Sequence, residues 1–374
     1  MNITLKQSGK ISVAFLIALF GWPVYALAYL MPRDSNKYVF GIYASSFSGN
    51  TRTLYVDEQF AHDGVKVLLY KEKSIKTMLD AMPDSNRYLY FSVFSVRGIY
   101  HALTAKYYVY SSYLSDINFW LSNGAVAFNV WHGTPLKTIE RDVHVGVYSK
   151  KNKWRFFLKY IFPYFYVRPN KILVCSDYEQ ACFKSAFNIT DDSAFVCSFP
   201  PRLNSVVQQQ LICEKSIILY CPTWRDDGSF VFQEEADVHS LNQLMLKMNL
   251  TFVIKSHPSD KALHLTGDYS NVILESNLTE VYSCLPEAVA LVTDYSSMLF
   301  DAVYCGVPTI LFCPDLEHYQ NKNREFYIDI HSLGLPVVTN EADLFDNILR
   351  VKELGLPYEA NVYFSVYKNK SVQL

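Results

Sequence analysis

The chain has 374 residues, 50% of them hydrophobic and 16% aromatic, which excludes an intrinsically disordered protein and is enough for two domains with their own cores. Its formal net charge of −2 conceals a division: residues 1–170 carry 20 Lys and Arg against 10 Asp and Glu, whereas residues 171–374 carry 14 against 26. A basic first half suits an anionic partner such as a phosphate polymer or the anionic face of a membrane, and no motif points to nucleic acid.

In chain order, residues 11–31 contain no charged side chain; Lys6 and Lys10 precede them and Arg33 follows. The run is long enough to span a bilayer. Ala26-Leu27-Ala28 offers a rival reading as a signal-peptide cleavage site, but the length of the run and its interruption by Gly21, Trp22 and Pro23 favour a retained anchor over residues 1–34, either spanning the membrane or lying in its interface. Strands are then expected at 38–43, 65–70, 88–93, 107–111, 125–130, 172–175 and 194–197. Helices are expected at 50–63, 74–81 and 97–105. Residues 149–167 mix Lys150, Lys151, Lys153, Arg155 and Lys159 with eight aromatic residues, a pattern that suits either a membrane interface or an amphipathic helix with a solvated basic face.

The consecutive Pro200 and Pro201 break regular structure. A second series follows, with strands at 216–221, 251–255, 272–275, 288–293 and 309–313 and helices at 241–247, 280–285, 296–304 and 341–353. Alternation of this kind predicts two doubly wound, Rossmann-like α/β domains, residues 35–204 and 205–374, with a cleft between them and ligands at the carboxyl ends of the strands. The eight cysteines all lie beyond residue 170, without CxxC spacing, which fits a reducing compartment rather than a disulfide scaffold or a metal site.

Four polar motifs follow expected strands. In Trp131-His132-Gly133-Thr134-Pro135-Leu136-Lys137, His132 is the best general base in the chain, because its intrinsic pKa lies near neutrality. Gly133 allows close backbone approach to a ligand, Lys137 can steady negative charge, and the bland alternative is a histidine hydrogen-bonded at a strand end. In Pro222-Thr223-Trp224-Arg225-Asp226-Asp227, Arg225 can grip a phosphate. Lys255 and His257 share a third strand-end loop and can offer positive charge or a proton to a leaving phosphate. In Thr293-Asp294-Tyr295-Ser296-Ser297, the serines start a helix whose free N–H groups favour a phosphate, while Asp294 either caps that helix or binds a hydroxyl. The chain has no GxxxxGK[ST], GxGxxG, D-x-D or HExxH motif, so P-loop nucleotide hydrolysis and the usual metal clamp of nucleotide-sugar enzymes are not indicated.

Taken together, residues 131–137, 222–227, 256–258 and 293–310, with the stretch from Asp315 to Tyr327, resemble the CDP-glycerol glycerophosphotransferases, the teichoic-acid primases and polymerases with related capsule enzymes. The likeness covers roughly residues 35–355. It implies the GT-B arrangement, attack by an acceptor hydroxyl on the β-phosphorus of a CDP-polyol, and release of CMP. It also implies a cell-membrane enzyme on the cytoplasmic face of a bacterium, acting on CDP-glycerol or CDP-ribitol and a lipid-linked or polymeric phosphate acceptor. By position His132 matches the family's proposed base and His257 its second essential histidine. Arg225, Lys255, Thr293, Asp294, Ser296 and Ser297 fall on the donor side, and Gly133, Thr134 and Lys137 on the acceptor loop. No cofactor is implied beyond the CDP-polyol substrate, and a divalent-metal dependence stays open. Lys255 stands where the family often has Arg, and Glu325 where Gly is expected, which bears on the choice between glycerol and ribitol. Two other function classes fit the same cleft less well: a GT-B glycosyltransferase using a nucleotide sugar, and a non-catalytic membrane protein.

Overall fold

The computed structural model describes residues 5–43, 47–83, 85–144, 153–223, 235–255, 267–275, 281–317, 319, 325–355 and 362–374. Seven strands form the first sheet: β1 (Asp34–Gly41), β2 (Val65–Tyr70), β3 (Leu89–Ser92), β4 (Ala105–Tyr110), β5 (Val126–Asn129), β6 (Lys171–Val174) and β7 (Phe195–Cys197). Six form the second: β8 (Ile217–Cys221), β9 (Thr251–Ile254), β10 (Val272–Leu274), β11 (Ala288–Thr293), β12 (Thr309–Phe312) and β13 (Val337–Val338). The orders are β3-β2-β1-β4-β5-β6-β7 and β10-β9-β8-β11-β12-β13, and the paired strands run parallel. Each sheet therefore reverses its winding direction once, between β1 and β4 and between β8 and β11. These are the switch points at which open parallel sheets leave a crevice for a ligand.

Both sheets are buried on both faces, as parallel sheets must be. Along the central strands, Phe40, Leu68, Val109 and Phe128 pack into one cluster, while Val39, Val67, Tyr108 and Ala127 pack into another. In the second sheet Ile218, Tyr220, Val292 and Phe312 face one side and Ile217, Leu219, Cys221 and Leu291 the other. The period of two expected of strands thus feeds two cores per sheet.

Twelve of the thirteen strands correspond to runs expected from the sequence. β13 has two residues, too few to show periodicity. The helix Gly49–Val56 stops seven residues short of the expected 50–63 because the following segment turns to feed β2. The helix Asp177–Ala186, capped by Ser176 through the N–H of Glu179, was not anticipated.

The spanning-anchor reading of residues 1–34 is corrected. A helix does form over Leu5–Ala28, with Pro23 inside it, but among the described residues no helix is long and apolar enough to cross a membrane. Its second half is instead fastened to the first domain. Trp22 meets Phe119 and Trp120 edge-on and stacks on Tyr160, and Tyr25 stacks on Phe119 at 4.9 Å. The Arg33 guanidinium then donates to the carbonyls of Ala102, Ala105, Leu121 and Asn123 at 2.6–3.0 Å.

The two domains are joined by more than the linker. The terminal segment crosses back from the second to the first, a return that the division at residue 204 does not contain. Tyr367 N–H donates to the Cys175 carbonyl, Ser198 Oγ donates to the Asn369 carbonyl, and Val372 packs against the first core.

Candidate active site between the two domains

The loop after β5 is built to present His132. Asn129 Oδ1 accepts the Trp131 N–H at 2.9 Å, and Trp131 adopts φ +47°, a left-handed conformation that costs a non-glycine residue energy. Burial of the indole against Phe183 and Phe187 holds it there. Asn50 adds a brace by donating to the carbonyls of Val130 and Trp131 at 2.7 and 3.3 Å. The turn directs the next side chain, His132, into the crevice beyond β4.

His132 Nδ1 lies 2.8 Å from the carbonyl oxygen of Ser111. A carbonyl only accepts, so Nδ1 carries the proton in the neutral ring and Nε2 keeps its lone pair. The ring stacks on Trp131 at 4.4 Å and lies parallel to Tyr43 at 6.5 Å. The side chain is exposed at the mouth of the crevice. Loss of hydration lowers its pKa below the ordinary histidine value; the Ser111 bond opposes that shift, and the positive charge of Arg202 adds to it. The ring is thereby kept neutral and ready to accept a proton.

Gly133 brings the two domains together. Its φ is +155°, and a Cβ built there would stand 2.7 Å from Ser297 Oγ. The His132 loop of the first domain therefore touches the serine loop of the second. The helix Met298–Tyr304 begins just after these serines, and Ser296 Oγ accepts the Met298 N–H at 3.3 Å.

Asp294 does not cap that helix. Its buried carboxylate accepts from the N–H and hydroxyl of Thr223 and from the N–H of Tyr295. It ties the end of β11 to Thr223, just past the end of β8, across the switch point. Lys255, at the carboxyl end of β9, is 8% exposed, and burial lowers its ammonium pKa against the opposing pull of Cys284 and Glu275. Arg225 and His257 lie outside the described residues.

Three of the expected ligand contacts have partners within the protein. Thr293 is fully buried and its hydroxyl donates to the Cys221 carbonyl at 2.7 Å. Thr134, also fully buried, sits between Cys175 Sγ and Tyr304 OH. Lys137 reaches Tyr319 OH at 3.0 Å in the second domain, beside an antiparallel bridge to Phe326. The residue after a strand is often a ligand contact, but here the hydroxyls are used to join strands and domains.

Two groups that sequence reasoning passed over organise the interface. Arg202, in the turn Pro201–Leu203, donates to both oxygens of Asp301 at 2.9 and 2.5 Å. Tyr282 OH adds a third bond to that carboxylate at 2.8 Å. The two charged side chains are 3% and 2% exposed. The backbone N–H of Arg202 also donates to Asn50 Oδ1 at 3.1 Å, so one residue connects the brace under His132 to the helix after Ser297. The consecutive prolines before it marked a turn, but nothing local marked the partner 99 residues away.

Among curated proteins the chain is 24% identical over 376 residues to the teichoic acid glycerol-phosphate transferase of Staphylococcus aureus, covering 89% of this chain and 88% of that one. It is 27% identical over 339 residues to the teichoic acid poly(glycerol phosphate) polymerase of Bacillus spizizenii, covering 82% and 81%. The solved structure of the wall teichoic acid polymerase TagF superposes with a TM-score of 0.71 at 20% identity, over 93% of this chain and 90% of that one; at that identity it supports the two-domain fold. The family model for CDP-Glycerol:Poly(glycerophosphate) glycerophosphotransferase matches residues 24–368. That match takes in both sheets and the crevice between them, and the chain belongs to this glycerophosphotransferase family.

Proposed function

We propose that this glycerophosphotransferase moves glycerol phosphate from CDP-glycerol to a hydroxyl of a growing or primed acceptor, with His132 as the base. The acceptor O–H gives its proton to Nε2 of His132, and its oxygen forms a bond to the β-phosphorus of the donor. The bond from that phosphorus to the bridging oxygen breaks, and CMP leaves with the electron pair. The observation that carries this reading is the Nδ1–Ser111 hydrogen bond, which leaves Nε2 as the basic nitrogen, on a loop pressed against Ser297.

On the donor side, we assign phosphate contacts to Ser296, Ser297 and Lys255, with Arg225 and His257 joining them. Low hydration around Lys255 strengthens any contact it makes to phosphate. Asp294 serves as a positioning residue through its bonds to Thr223.

The acceptor is proposed to be membrane-held. Phe20 is 71% exposed, Phe94 78%, Val96 86% and Phe156 91%. With Leu16, Leu27 and Leu30 they give the first domain an apolar surface of a kind that monomeric soluble proteins seldom leave open. Lys153, beside the exposed Trp154, is placed to meet anionic headgroups. On this reading the helix Leu5–Ala28 lies in the interface and the enzyme works at the cytoplasmic face of the cell membrane.

Purified protein incubated with labelled CDP-glycerol, CDP-ribitol and UDP-sugars tests the reaction. CMP release from a CDP-polyol is expected, with a loss of about 10²–10⁴-fold in His132→Ala. Turnover of a UDP-sugar alone would refute the assignment, and the ratio between the two CDP-polyols identifies the polyol.

A further inference from the structure

Beside the acceptor side of the cleft is a hollow of about 490 Å³ whose wall includes Glu140, Arg141, Arg155, Lys159 and Arg168. Four cations against one carboxylate, that of Glu140, give the concavity an excess of positive charge that favours an anion. Among the described residues, Arg141, Lys159 and Arg168 form no ion pair. The Nε of Arg141 is buried without a hydrogen-bond partner. Asp142 accepts from Ser185 Oγ and Tyr327 OH at 2.8 Å, and Glu140, the one acid on the hollow's wall, accepts from Tyr113 OH at 3.1 Å. The guanidinium of Arg155 rests over the Tyr166 ring at 4.9 Å.

The hollow has a place in the proposed reaction path. Ser111, which fixes His132, and Tyr113, which binds Glu140 at the hollow's wall, are two residues apart. Arg155 and Lys159 lie one turn apart on the helix Arg155–Ile161. The same helix exposes Phe156, Phe157 and Tyr160, and its Tyr160 carbonyl accepts Trp22 Nε1–H from the N-terminal helix. Cations thus line the hollow from the element whose aromatic residues form the apolar surface.

We propose that this hollow is a second anion site, separate from the donor site, that binds a phosphate group presented at the membrane face, so that the acceptor is held by its phosphate while its terminal hydroxyl reaches His132. Guanidinium groups match phosphate oxygens in forked pairs, which sets orientation as well as affinity. The acceptor role rests on the glycerophosphotransferase reading; the anion site itself does not. The same chemistry would accept a phosphodiester of the acceptor polymer or the headgroup of an anionic phospholipid.

Lys159 and Arg168 are exposed, so the Lys159→Gln/Arg168→Gln double variant leaves the core untouched. Full-length wild type, this variant and the charge-keeping Arg168→Lys are titrated with a water-soluble poly(glycerol phosphate) fragment. In a second arm they are titrated with phosphatidylglycerol vesicles against phosphatidylcholine vesicles. At least tenfold weaker binding by the double variant, with Arg168→Lys between it and wild type, is the expected result, and the arm that responds identifies the source of the phosphate. Affinities unchanged in both arms overturn the site. In turnover, the KM for acceptor should rise while that for CDP-glycerol stays within twofold; an equal rise in both overturns the acceptor role. Failure of wild type to release CMP would count against the reaction but leave the binding result standing.

Discussion

Removing one partner of the Arg202–Asp301 pair should destabilise the protein more than any exposed substitution. The carboxylate takes two bonds from the guanidinium, at 2.9 and 2.5 Å, and one from Tyr282 OH at 2.8 Å. Both side chains are nearly inaccessible, so water cannot replace the lost partner. In Asp301→Ala, Arg202 stays buried and charged beside an empty space, which costs about 3–5 kcal/mol. Against a total stability of roughly 5–15 kcal/mol, that is a large share. At about 2–4 °C per kcal/mol for a domain of this size, the expected fall in melting temperature is on the order of 10 °C. Tyr282→Phe removes one bond to a charged acceptor and should cost about 1.5–3 kcal/mol. Replacing both charges, as in Arg202→Met/Asp301→Leu, removes the unpaired charge and should recover most of the loss. Circular dichroism during thermal and urea unfolding reads all four proteins. Because the pair is buried, the loss should change little between low and high salt. A loss below about 1 kcal/mol in Asp301→Ala, or a double variant no more stable than the single one, would show that the pair does not join the domains as described.

Other consequences concern the cleft and the membrane face. Gly133→Ala places a methyl group against Ser297 Oγ and strains the backbone by about 1–3 kcal/mol; the melting temperature should fall and kcat/KM should drop by about tenfold or more, and Ser297→Gly should restore part of the melting temperature, so a double variant no more stable than Gly133→Ala would refute the contact. Because burial lowers the pKa of His132, the acid limb of kcat/KM should have its midpoint below about 6.5. The sign for stability follows: the unfolded chain binds this proton more readily, so the site's contribution is full above about 6.5 and is lost as pH falls through the lower folded value, a trend that His132→Gln should abolish in pH-dependent melting curves. Phe20→Ser/Phe156→Ser removes two exposed rings, each worth about 1.5–3 kcal/mol when buried; binding to anionic vesicles should weaken at least tenfold at an unchanged melting temperature, and wild-type binding would exclude this face from the membrane contact.

The sequence by itself determined the class of fold. Alternating apolar runs and turn signals locate almost every strand, because a strand buried on both faces must be apolar throughout and its length is set locally. It also offered His132, Ser296 and Ser297 as candidates, since each follows a strand whose end is fixed by hydrophobic pattern. The N-terminal run was apolar enough to read as an anchor, because composition does not say which face of a helix meets protein; the contacts of Gly21, Trp22 and Tyr25 with Trp120 and Phe119 decide that.

Only the tertiary structure decided what the polar residues do. Thr134, Thr293 and Lys137 look like ligand contacts along the chain, yet their partners Tyr304, Cys221 and Tyr319 come from distant segments. Arg202 and Asp301 carry no local signature, because a buried ion pair depends on two sites brought together by folding. The same is true of the cations around the hollow, contributed by segments near residues 141, 155–159 and 168. Hydrophobic periodicity is a property of neighbours in sequence, whereas desolvation and charge pairing are properties of neighbours in space.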